Sequence, residues 1–271
     1  MDRAFTEITY RRPPIDASLF SPCAHPARCA MLKKIVVGFA ALIGLLLIGG
    51  GAYVTYLGYF SDDPFTVMRP PEGAQKPDYA IAFLSGDMGF NAGMGPQIAR
   101  RFVNDGVPVL GFNSLSWFRH RRTPEEVHAI VQDITRRTMR DFGVEKVVLI
   151  GQSFGADALH LGLPAMPQAL RRHVAFVGLV VPTDTVFLKA SPAEIFNWSP
   201  PDLPAAPSAR ELTWVPGVCI HGETEDHSLC SVMTQPNIAH VALPGGHYLD
   251  KDSEAVYRAL SNAIAQRARG L

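Results

Sequence analysis

Gly151-Gln152-Ser153-Phe154-Gly155 has the G-x-S-x-G spacing that lets a serine stand on a sharp strand-to-helix turn. A fully apolar run, Val147–Ile150, precedes it, and a helical stretch, Ala156–Leu161, follows. Small residues at both glycine positions permit the tight turn, and the helix amino terminus beyond it favours developing negative charge. A serine hydroxyl at its free pKa is a poor nucleophile. A base must take its proton, and an acid must orient that base. Ser153 is therefore the expected nucleophile of an acyl transfer, and the rest of the chain is searched for its partners.

With this turn the partners follow in the order serine, acid, histidine. His247 stands in Pro244-Gly245-Gly246-His247-Tyr248, a loop just past the last apolar run, where a Gly-Gly turn lets the imidazole reach back over a sheet. His240 precedes that run, and His221 comes too early to be followed by an acid, so His247 is the expected base. The acid belongs in His221-Gly222-Glu223-Thr224-Glu225-Asp226. Asp226 is the expected residue, with Glu225 and then Glu223 as alternatives, and Asp184 in the preceding loop as a different placement. The oxyanion hole is expected from the backbone N–H of Phe154 and one near Asp87 or Met88. Histidine and cysteine spacings match no zinc pattern, and the chemistry calls for no cofactor.

These groups need a scaffold. Tyr79–Leu84, Val107–Phe112, Val147–Ile150, Val174–Val181, Val218–Ile220 and Val241–Leu243 read as buried strands, alternating with helical stretches. Thr123-Pro124-Glu125-Glu126 opens one helix with a capping box, Val127, Ile130, Val131 and Ile134 give its apolar stripe, and Gly143 ends it. A closing helix is expected over 253–267. Apolar strands alternating with helices predict an α/β fold with a mainly parallel sheet covered on both faces. Between Pro182 and Pro216 the rhythm breaks into a proline-rich stretch, read as a cap or lid.

Ile35–Phe60 contains no charged residue. Its length at about 1.5 Å per residue exceeds the roughly 30 Å of a bilayer core. Lys33 and Lys34 precede it, Asp62 and Asp63 follow it, and Tyr53, Tyr56 and Tyr59 recur at its exit end. The positive flank places the bulk of the chain outside the cytoplasm. Gly50-Gly51-Ala52 offers a signal-peptidase site, but the run is longer than a usual signal core, which favours a retained anchor. Residues 1–34 are a cytoplasmic tail, or an extension if the true start is Met31 rather than Met1. The catalytic domain is expected over 62–271. In an oxidising compartment Cys219 and Cys230 are expected to pair; the alternative is two buried thiols. Across the 271 residues, 25 basic and 25 acidic side chains give no net charge, which argues against a nucleic-acid binder. A hydrophobic content of 47% excludes a disordered chain.

Seven segments together resemble the AcvB/VirJ family of bacterial virulence proteins. They are Ser85-Gly86-Asp87, Gly106–Gly111 with Ser114-Leu115, Arg122-Thr123-Pro124-Glu125, Val148–Asp157, Cys219–Gly222, Leu229-Cys230 and Pro244-Gly245-Gly246-His247. The likeness covers most of 79–260. It implies a periplasmic α/β-hydrolase fold that hydrolyses aminoacyl-phosphatidylglycerol, chiefly the lysyl form, with Ser153 and His247 on the family's nucleophile and base. The chain departs from the family pattern at Met88-Gly89-Phe90, where Gly-Gly-Trp is usual, and at Gln152, Asn113 and near Arg119.

A phospholipid substrate at the inner membrane would need a phosphate ligand, expected among Arg119, Arg121 and Arg122, since the guanidinium fork suits a phosphodiester. A lysyl group would need a carboxylate, expected from Asp157, Asp184 or Glu223. The competing expectations are another carboxylesterase or lipase, and a non-catalytic binding protein for periplasmic or type IV secretion components.

Overall fold

The computed structural model describes residues 26–74, 78–190 and 200–268. The chain divides into two compact units, 1–52 and 53–271. The first contains most of helix α1, Pro26–Tyr56. Its stretch Ala30–Tyr56 has a mean hydropathy of 2.4 and is long and apolar enough to cross a membrane. A signal sequence has the same character.

The second unit is built on a seven-stranded sheet in the order β1-β3-β2-β4-β5-β8-β9. Its strands are β1 Phe65–Met68, β2 Tyr79–Leu84, β3 Val109–Phe112, β4 Lys146–Gln152, β5 Val174–Val180, β8 Gly217–Gly222 and β9 Ile238–Leu243. Every pairing is parallel except β1 with β3. The parallel α/β expectation holds. Strand β1 is an addition: Phe-Thr-Val-Met is short, half exposed and antiparallel at the edge, so it lacks the apolar signature of the buried strands.

Helices cover both faces. The longest on one side is α4, Pro124–Phe142, which follows the short α3, Ser114–Trp117, and starts at the expected capping box: Thr123 Oγ1 accepts from Glu126 N, and Thr123 N donates to Glu126. It ends at Gly143 in the left-handed conformation, φ 62°. Val127, Val131 and Ile134 bury against α5, Phe154–Gly162. On the other face α2, Gly95–Asn104, packs with the closing helix Ser253–Ala268 through Ile98, Phe102, Val256 and Leu260.

Of the expected lid, residues 191–199 lie outside the described residues. What flanks them is packed rather than loose. A two-stranded ribbon pairs β6, Thr185–Val186, with β7, Leu203–Pro204, and Val186, Leu188, Ala205, Ala209, Leu212 and Val215 join the core.

Candidate active site

Strand β4 delivers Ser153 to the carboxyl end of the sheet. The serine has φ 50°, ψ −123°, a strained conformation for a residue with a side chain. It is held there by Ser153 N donating to Val180 O and by Ala156 N and Asp157 N donating to Ser153 O. The flanking glycines have steric reasons. A Cβ on Gly151 would lie 2.5 Å from Gly155 O, and one on Gly155 would lie 2.4 Å from both Leu84 O and Ser85 O. The elbow is wedged against the end of β2, and only glycine fits.

Ser153 Oγ lies 2.9 Å from His247 Nε2, and His247 Nδ1 lies 2.5 Å from Glu225 Oε1. The structure therefore corrects the acid: Glu225 faces the imidazole, while Asp226 and Glu223 are exposed. The cause is the turn that follows β8. Glu225 N donates to Gly222 O, and Gly222 N donates to Glu225 Oε2, so the side chain folds inward and has a second partner for its other oxygen. Glu223 N and Thr224 N donate to Leu243 O and Gly245 O, tying this loop to the one that carries His247. The Glu225 side chain is 5% exposed. Asp184 is placed elsewhere, its carboxylate 3.2 Å from His227 Nδ1.

Phe154 N heads α5, where the first N–H groups of a helix have no acceptor within it. Across from it is the loop Ser85–Gly89. Ser85 N donates to Phe112 O, Ser114 N donates to Ser85 Oγ, and Gly89 N closes a turn onto Gly86 O. A Cβ on Gly86 would be in ordinary contact with Ser153 Cβ, at 3.6 Å. This puts the loop containing Asp87 and Met88 beside the nucleophile. Burial raises the Asp87 carboxyl above its ordinary pKa, opposed by the charge of His247 and by the N–H groups of Asp87 and Met88.

The expected ligand residues are largely engaged. Arg119 donates to Tyr59 O, Ser61 O and Asp62 Oδ1. Arg122 donates twice to Trp117 O, stacks 4.3 Å over the Trp117 ring and pairs with Glu126. Arg121 pairs with Asp202 and remains half exposed. Asp157 is 5% exposed and accepts from Thr183 N, so its carboxyl is engaged within the fold.

The structural role of Asp157 depends on Thr183, a partner that sequence spacing does not reveal. Thr183 Oγ1 lies 2.8 Å from Asp157 Oδ2 and 2.7 Å from Thr185 O. One hydroxyl proton cannot serve both acceptors. A proton on Asp157 satisfies both contacts, and burial, aided by the nearby carboxylates of Glu225 and Asp184, pushes this carboxyl well above its ordinary pKa. Buried beside it, His160 has its imidazole lowered to about 3 and stays neutral. Above about pH 4 the unfolded chain ionises Asp157 while the folded chain keeps the proton, so this group's contribution to stability falls as pH rises. Asp157→Asn should therefore gain on the parent by about 1.4 kcal/mol per pH unit from about pH 4 up to the carboxyl's folded pKa. Urea unfolding of both proteins at pH 5, 6 and 7 checks this; a constant difference would refute the neutral carboxyl.

Cys219 and Cys230 form the expected disulfide. It closes the segment from β8 that carries Glu225. Among the described residues, no cluster of three His, Cys, Asp or Glu side chains could hold a metal ion. An open depression of about 570 Å³ between α4 and the short helix Gln168–Arg171 contains none of these site residues.

The family model described as bacterial virulence protein (VirJ) matches residues 78–268. No curated protein sequence matches the chain. Among solved structures, Est1E from Butyrivibrio proteoclasticus is 13% identical with a TM-score of 0.55, covering 76% of this chain and 94% of its own. Carboxylesterase CesB (YbfK) from Bacillus subtilis is 12% identical with a TM-score of 0.52, covering 80% of this chain and 97% of its own. At these identities the likeness concerns the fold, which is that of the α/β hydrolases.

Proposed function

Because the chain belongs to the bacterial virulence protein (VirJ) family, we propose that it is a serine esterase that cleaves the aminoacyl ester of aminoacyl-phosphatidylglycerol, the lysyl form above all, through an acyl-enzyme. The observation that carries the reading is the continuous relay from Ser153 Oγ through His247 to Glu225 at a strained elbow. In this mechanism His247 Nε2 takes the hydroxyl proton as Ser153 Oγ attacks the ester carbonyl. The tetrahedral oxyanion is received by Phe154 N–H and an N–H of the Asp87–Met88 turn. His247 then returns the proton to the departing glycerol oxygen, which releases phosphatidylglycerol. Water, deprotonated by His247, attacks the acyl-enzyme; the bond to Ser153 Oγ breaks, His247 returns the proton to that oxygen, and the amino acid is freed. Glu225 keeps the imidazole in the required tautomer and balances its charge.

Two features support an amphiphilic, cationic substrate. Met88 and Tyr248, next to the oxyanion turn and the base, are 41% and 72% exposed and offer apolar contact to lipid. Asp87, close enough to His247 to feel its charge, offers a carboxyl group to the α-ammonium beside the scissile carbonyl in this reading. Arg121 remains the arginine open to a phosphodiester. The apolar helix supports a location at the inner membrane, with the catalytic unit in the periplasm.

The test incubates the full-length chain with lysyl-phosphatidylglycerol vesicles and follows free lysine, with Ser153→Ala as control. Lysine release that disappears in the variant is the expected result. Labelling of Ser153 by a fluorophosphonate without lysine release would leave an esterase of other substrates. Neither labelling nor release would favour a binding protein of the secretion machinery.

A further inference from the structure

The oxyanion turn has a second contact surface, formed by the chain at and just after the end of the apolar helix. Gly89, which closes the turn with φ 77°, sits directly against that segment. A Cβ there would lie 2.7 Å from Leu57 O and 2.9 Å from Asn113 Oδ1. Asn113 Nδ2 donates to Leu57 O at 2.8 Å, and Asn113 Oδ1 accepts from Ser116 N. Two residues past the turn, Asn91 and Tyr56 bond reciprocally: Tyr56 Oη donates to Asn91 O at 2.8 Å, and Asn91 Nδ2 donates to Tyr56 O at 2.7 Å. The Leu57 side chain is 6% exposed and packs in the core cluster with Leu84, Phe112 and Phe154. Arg119 fastens the next residues through Tyr59 O, Ser61 O and Asp62.

We infer that the segment Tyr56–Asp62 is a strap that positions the oxyanion turn, with Asn91, Asn113 and Arg119 as its positioning residues. The turn is held between two backbones, Gly86 against Ser153 on one side and Gly89 against Leu57 on the other. Short loops rich in glycine hold a defined shape only when their surroundings impose it. Loosening the strap frees the turn to drift, and oxyanion donors act only when fixed where the charge develops. The strap touches none of the reacting atoms, so its effect is on kcat and leaves binding and the titration of the base alone.

The kinetic half of the test rests on the esterase reading; the other half does not. In the full-length chain in detergent, Asn91→Ala combined with Arg119→Ala should lower kcat for p-nitrophenyl acetate about tenfold. KM and the pH profile should stay those of the parent, as should the fraction of Ser153 titrated by a fluorophosphonate at end point. Arg119→Lys should recover part of the loss. Independently, amide exchange at Met88 to Asn91 should quicken about tenfold in the double variant while that of β4 is unchanged. Unchanged exchange in the turn would overturn the inference, whether or not the parent hydrolyses esters. So would a fall in kcat that merely follows the loss of titratable Ser153. A parent inert to both ester and fluorophosphonate would instead remove the esterase reading, and the exchange comparison would still decide the strap.

Discussion

Glu225→Gln should lower kcat/KM for a soluble ester by about a thousand- to ten-thousandfold. A glutamine in this place can present its amide N–H to His247 Nδ1, which fixes the imidazole in the tautomer whose Nε2 carries the proton. That nitrogen, 2.9 Å from Ser153 Oγ, can then no longer act as base. Loss of the negative charge also removes the partner of the imidazolium formed during attack. The amide oxygen can still accept from Gly222 N, so the fold should survive, as a thermal melt would verify. Asp226→Asn is the comparison. Its side chain is exposed, so activity should stay within about a factor of two. Steady-state kinetics on the two variants separates the neighbours; the reverse ranking would move the acid to Asp226.

The second large effect is on stability. Cys219 lies in β8 and Cys230 beyond the acid loop, both essentially without exposure, with their Cα atoms 5.6 Å apart. In the chain-entropy account, closing a loop of this length stabilises by about 3 kcal/mol. Replacing both cysteines by alanine should cost that much and lower the melting temperature by about 10 °C for a unit of this size. Because the bridge spans the turn that presents Glu225, activity should also fall at temperatures where the variant is still folded. Urea unfolding without reductant gives the first quantity, and kcat against temperature gives the second. A variant as stable as the parent would mean that the unfolded chain is already compact there.

The difference between Glu225 and Asp226 shows where sequence reasoning ran out. Ser153 and His247 were legible because each has a local backbone demand: glycines at the elbow, and a Gly-Gly turn after the last strand. The acid has none. Three carboxylates share one loop, and the choice is made by the hydrogen bond from Gly222 N, which turns Glu225 inward. The sheet was legible for a similar reason. Strands buried on both faces are apolar throughout, whereas β1, half exposed at the edge, is not. The contacts that hold Arg119 and Arg121 were not legible because their partners are remote in sequence. Arg119 lies 57 to 60 positions from the residues it holds, and no periodicity links them.

The division of the chain between Ala52 and Tyr53 has a practical meaning. It falls immediately after Gly50-Gly51-Ala52, the segment that would serve a signal peptidase if the apolar helix were a signal rather than an anchor. A mature protein beginning at Tyr53 would inherit every residue of the second unit, so anchored and released forms would carry the same relay of Ser153, His247 and Glu225. A recombinant fragment whose start is chosen from hydropathy alone, at residue 62, would begin inside that unit and lack Tyr56, Leu57 and Tyr59. Such a fragment could be inactive for reasons unrelated to its substrate, and an assay built on it would misjudge the protein.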